Sequence, residues 1–118
     1  MFSLGKREKL KSKKLISELY AEGKSIKAFP LKLVYLKKSY ESDFRAQVGV
    51  TVSKRNFKKA VDRNRIKRLM RESYRLEKQT LYSELKPHYI FMISYLAREE
   101  WEYENIRMKM KTLLMKFY

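Results

Sequence analysis

The sequence predicts an α+β sandwich in which helices cover a small sheet, and three patterns carry that prediction. From Arg45 to Ser53, Ala46, Val48, Val50 and Val52 alternate with Arg45, Gln47, Gly49 and Thr51, the period of a strand with one buried face. Tyr89 to Tyr95, YIFMISY, is short and apolar enough for a buried strand. Around these, apolar residues recur at helical spacing before Gly23, after Val61 and after Glu99. The expected order is helix, two or three strands, basic helix, strand, helix. A length of 118 residues with 44% hydrophobic content supports a single domain, 1–118, because two would each be too small to bury a core.

The first helix rests on Leu15, Ile16, Leu19 and Tyr20, and Gly23 supplies its stop. The segment Leu31 to Lys38 is rich in strand formers and follows Pro30, whose missing N–H suits a strand start. The stretch Ser25 to Ala28 is long enough for an extra short strand, and Tyr40 to Asp43 is turn material. Pro87 marks the boundary before the Tyr89 strand. The last helix runs from Glu99 to Phe117, with Glu99, Glu100, Glu102 and Glu104 near its start and Arg107, Lys109, Lys111 and Lys116 later, an order that complements the helix dipole. Its stripe of Tyr103, Ile106, Met110, Leu113, Leu114 and Phe117 reads as core.

The functional signal lies in Lys54 to Arg75, KRNFKKAVDRNRIKRLMRESYR, a run read as helical that holds ten Lys/Arg against Asp62 and Glu72. At 100° per residue, Ile66, Leu69, Met70 and Ser73 share one arc, whereas Arg63, Asn64, Lys67, Arg68, Arg71 and Arg75 share the other. Arg63, Lys67, Arg71 and Arg75 form a ladder of like charges at i, i+4, and each such pair costs an isolated helix roughly 0.2–0.5 kcal/mol. A solvated charged face usually mixes both signs. This one hardly does, and its arginine forks suit bidentate contact with phosphate oxygens, so a polyanion is the expected partner.

Composition agrees. A formal net charge of +16 and a pI near 10.1 favour a nucleic acid, and 14% aromatic residues indicate a folded domain instead of a disordered basic tail. A membrane surface is the rival polyanion, but no apolar run is long enough for a span, so no membrane partner is expected. A DNA-reading helix would display Gln, Ser or Thr for base edges, and this face is almost wholly Arg and Lys. The absence of cysteine excludes disulfides and thiolate metal sites. Met1 to Arg7 lack the apolar core of a secretory signal, which makes the cytoplasm the expected location. No catalytic constellation and no metal site are read: His88 is the single histidine, and the glutamates from Glu99 to Glu104 read as partners of a helix dipole.

Two segments, Val52-Ser53-Lys54-Arg55 and Ala60-Val61-Asp62-Arg63-Asn64-Arg65-Ile66-Lys67-Arg68-Leu69-Met70-Arg71-Glu72, resemble the signature of the protein subunit of bacterial ribonuclease P. Leu10, Lys11, Leu19, Tyr20 and Gly23 fit the family's first helix, and Ile16 stands where the family often has Phe. The resemblance implies a left-handed crossover around the basic helix, a fold shared with a domain of elongation factor G and a small-subunit ribosomal protein. It implies a protein that assists a catalytic RNA in removing the 5′ leader of precursor tRNA, with Mg2+ bound mainly by that RNA and one protein per RNA. On the family's pattern Lys54, Arg55, Lys58, Lys59, Arg63, Asn64, Arg65, Lys67, Arg68, Arg71 and Arg75 bind the RNA subunit. Lys11, Ile16, Tyr20 and Tyr35 are then expected in a groove that holds the single-stranded leader. Read from the residues alone, Ile16, Leu19 and Tyr20 fit a core equally well, and the polar face of the Arg45–Ser53 strand faces either solvent or a ligand. The alternative function is a ribosomal protein or RNA chaperone with no part in precursor cleavage.

Overall fold

Ser12 starts the first helix, its hydroxyl accepting a hydrogen bond from the Leu15 N–H at 3.2 Å, so α1 spans Lys13–Glu22. Gly23 caps its C-terminus, its extended backbone donating an N–H to the Leu19 carbonyl at 2.8 Å. Its φ of −71° is ordinary, but a Cβ there would run into that same carbonyl oxygen, so the site takes glycine. The computed structural model describes residues 10, 12–37, 46–84 and 89–117, with backbone alone for 46 and 78–84. Among these, β1 (Lys24–Ala28), β2 (Leu31–Lys37), β3 (Ala46–Val52), α2 (Ala60–Glu84), β4 (Tyr89–Tyr95) and α3 (Tyr103–Phe117) follow α1. The expected turn at Tyr40 to Asp43, the Pro87 boundary and His88 lie outside the described residues.

The strands form one sheet in the order β1-β2-β4-β3. A two-residue turn, with a cis Phe29–Pro30 bond, joins β1 to β2 antiparallel; β2 and β4 are antiparallel, and β3 and β4 are parallel. Parallel neighbours need a crossover, and α2 provides it. The α2 and α3 helices cover one face, over Leu31, Leu33, Val48, Val52, Phe91, Ile93 and Tyr95. On the other face α1 covers only a patch of Val34, Ile90 and Met92 with Leu19 and Leu10. Among the described residues the sheet is thus closed on one side and half open on the other.

Two expected boundaries move. The Lys54–Arg75 run is not one helix, because Ser53 starts a turn in which its hydroxyl accepts from the Arg55 N–H at 3.0 Å and its carbonyl from the Phe57 N–H at 3.0 Å. Phe57 then buries its ring beside Tyr95, and the helix begins only at Ala60 and continues to Glu84. The last helix starts at Tyr103 instead of Glu99. The Tyr95 hydroxyl donates to the Glu99 carbonyl at 2.7 Å and accepts from the Trp101 N–H at 2.9 Å, which holds the intervening backbone in a loop. Tyr74, absent from the expected α2 core arc, is fully buried with Ile66, Met70 and Ser73.

Candidate nucleic-acid interface

The basic run divides into cations with partners inside the protein and cations with none among the described residues. Arg63 turns back toward the preceding loop, donating from one nitrogen to the Phe57 carbonyl at 2.8 Å and the Lys58 carbonyl at 2.9 Å. Arg65 is gripped by Glu100, at 2.8 and 2.6 Å, and by Asp62 at 2.8 Å. Hydrogen bonds from Arg65 hold the Glu100 carboxyl below its ordinary pKa, and Glu100 in turn raises that of Arg65. Arg75 pairs with Glu72 at 2.7 Å. The like-charge ladder is therefore occupied at both ends, Arg63 by carbonyls and Arg75 by a carboxylate, a role in folding that its spacing did not disclose.

What remains is a continuous patch. Asn64, Lys67, Arg68 and Arg71 have no hydrogen-bond or ion-pair partner among the described residues, and all but the half-buried Lys67 are exposed. Their spacing places them side by side over two turns of α2. Lys54, Arg55, Lys58 and Lys59 extend the patch along the loop before the helix, all exposed, on a backbone fixed by the Ser53 turn and by Phe57. Asn56 adds a bond from its side-chain nitrogen to the Leu96 carbonyl at 3.4 Å.

Beside this patch a groove of about 350 Å3 opens on the half-covered face of the sheet, lined by Leu10, Ile16, Val48, Gly49, Val50, Thr51, Arg71 and Met92. The alternation of β3 creates it. Val48 and Val52 are buried under α2 and α3, which turns Gln47, Gly49 and Thr51 to the other face, beyond the edge of α1. Gly49 keeps the floor low: a Cβ there would lie 2.9 Å from the Met92 methyl carbon. Arg71 reaches the groove from α2, so the cationic patch and the groove share a wall.

Of the residues expected in a groove, Ile16 lines this one. Tyr20 lies one turn further along α1, 55% exposed, with burial of the remainder raising its pKa. Lys11 is outside the described residues. Tyr35 is a correction: it shares its sheet face with Leu33 and meets Phe117 edge-on at 4.8 Å, on the far side from α1. Strand parity is the reason, because Val34 and Leu36 are the β2 residues that face α1. Gly49, Thr51 and Met92 line the groove without belonging to the expected site residues, although the alternation of β3 sets Gly49 and Thr51 on the polar side.

No described helix is long and apolar enough to cross a membrane, and no cluster of three or more metal-ligating side chains occurs among the described residues. The family model Ribonuclease P matches residues 4–118. The chain is 49% identical over 84 residues to the ribonuclease P protein component of Chlorobium phaeobacteroides, covering 69% of this chain and 58% of the relative. It is 39% identical over 90 residues to that of Porphyromonas gingivalis, covering 76% and 66%. The matches thus span about two thirds or less of those relatives' length. Among solved structures, the RNase P protein from Thermotoga maritima superposes with a TM-score of 0.75 at 22% identity, covering 93% of this chain and 97% of that one. The RNase P protein of Staphylococcus aureus gives 0.74 at 18% identity, covering 95% and 96%. At such identities these two likenesses concern the fold.

Proposed function

The chain belongs to the ribonuclease P protein family, and from that membership we propose that it is the RNA-binding subunit of a ribonucleoprotein that removes the 5′ leader of precursor tRNA. The observation that carries the reading is the shared wall at Arg71, where an unpaired cationic patch meets a groove with a polar edge. The patch of Asn64, Lys67, Arg68 and Arg71, with Lys54, Arg55, Lys58 and Lys59, docks on phosphates of the catalytic RNA. The groove takes the single-stranded leader, for which Ile16, Met92 and Leu10 offer an apolar floor and Thr51 and Arg71 polar contacts.

On this reading the polypeptide supplies binding and charge, not bond cleavage. The hydrolysis belongs to the RNA subunit, which binds most of the Mg2+, and the cytoplasm, where precursor tRNA is processed, is the working location. One protein per RNA is the stoichiometry of this reading, since the patch and the groove beside it engage one ribonucleoprotein together. Cleavage of a precursor tRNA at low magnesium by the RNA subunit alone, the protein alone and both together tests the proposal. Activity in the mixture well above that of the RNA alone, with none from the protein alone, is expected. A mixture no better than the RNA alone would leave a general RNA-binding protein in its place.

A further inference from the structure

We propose that the groove continues across the whole open face of the sheet as a track for single-stranded RNA, ending on a phosphate clamp formed by Lys32 and Lys27. The proposal rests on the leader-binding reading above and extends it to residues on the opposite edge of the sheet. The strand register carries it. Thr51 of β3 is aligned with Ser94 of β4, Ser94 with Lys32 of β2, and Lys32 with Lys27 of β1. All four lie on the α1 side: Ser94 alternates with the buried Ile93, Lys32 with the buried Leu33, and Thr51 is two residues from Gly49 on the groove floor. They form one polar row over the full width of the sheet, about 14 Å at ordinary strand spacing. The row starts in the groove and lies beside the Val34–Met92 row that α1 covers.

The two lysines need an explanation that the fold does not offer. They face each other directly across an antiparallel pair, where like charges are destabilising. Their nearest register neighbours on that face, Ser25, Val34, Met92 and Ser94, hold no carboxylate, and neither lysine has an ion-pair partner among the described residues. A third ammonium, Lys116, donates to the Lys27 carbonyl at 2.8 Å and adds positive charge at the same edge. Lysine on an edge strand is a common guard against strand pairing, which would account for Lys27. It does not account for Lys32, because β2 lies inside the sheet between β1 and β4. A phosphate held between the two ammonium groups offsets the repulsion, and Ser94 and Thr51 offer hydroxyls to sugars and phosphates along the way.

The test is binding of the assembled holoenzyme to precursor tRNAs whose leaders increase in length, using wild type, Lys27→Gln, Lys32→Gln and the double variant. The double variant is expected to match wild type on the shortest leaders and to fall behind once the leader reaches the clamp. Each lysine should then account for about three-fold in affinity at moderate salt and about 0.7 of the salt slope. Melting of the free protein should be unchanged or raised, since a repulsion is removed. A double variant equal to wild type at every length overturns the track while the groove stands, and so does an equal loss on leaderless tRNA. A wild type that ignores leader length overturns both the track and the reading beneath it.

Discussion

Arg68 and Arg71 are one turn apart and chemically alike, yet the structure gives them different neighbours. Arg68 belongs to the outward patch alone, while Arg71 also lines the groove. Arg68→Ala is therefore expected to weaken assembly with the catalytic RNA and reduce the magnitude of the salt slope by about 0.7–0.9, with leader preference retained. Arg71→Ala should lower both, which salt titrations with leader-bearing and leaderless tRNA would separate. Arg63 behaves differently again, because it donates to two carbonyls of the loop before α2. Its replacement by Met should destabilise the fold by about 1–3 kcal/mol, seen in denaturant melts, and reduce RNA binding through the loop. Tyr20 is more than half exposed, so Tyr20→Ala should stay folded. If a leader base stacks there, at about 1–3 kcal/mol, the preference for leader-bearing tRNA should fall roughly five-fold. An unchanged preference would confine the groove to its Ile16 end.

At the scale of elements, β3 makes the groove and Gly49 sets its depth. Gly49→Ala places a methyl against the end of the Met92 side chain, a flexible group that can move. The expected result is a protein of near-normal melting temperature and weaker leader preference, with assembly on the catalytic RNA intact; binding of matched tRNAs measures it. A second element-level device ties the loop after β4 to α2 through Glu100 and Arg65, at 2.6 and 2.8 Å. The folded Glu100 pKa is depressed, so its contribution is present above the ordinary glutamate pKa and is lost as pH falls through the lower, folded value. Carboxyl NMR titration should find Glu100 protonating below the ordinary range in wild type and within it in Arg65→Met. Equal titration in both proteins would mean that the pair does not persist in solution.

At the scale of the whole molecule, a charge of +16 on 118 residues is a standing repulsion. That figure already counts every carboxylate, so pairs such as Arg65–Glu100, Arg75–Glu72 and Arg107–Glu77 settle individual arginines and leave the excess in place. Anions that bind the folded patch should stabilise it by mass action, so sulfate or phosphate at constant ionic strength should raise the melting temperature. Melting that is indifferent to the anion would place the cations too far apart to share one.

Reading along the chain is enough for the order of elements and for the sign of the charge the molecule carries, because both depend on local properties. Alternation at Val48, Val50 and Val52 and helical spacing at Ile106, Met110 and Leu113 are set by strand and helix periods. The charge excess of Lys54 to Arg75 is visible without any fold. The tertiary structure alone decided which cations are available, since Glu100 lies 35 residues from Arg65 and no local pattern announces that pair. It also decided that Tyr35 leaves the groove and that Lys27, Lys32, Ser94 and Thr51 fall in one row. Those facts depend on strand order and register, which are set when distant strands bury their common face and cannot be read along one of them.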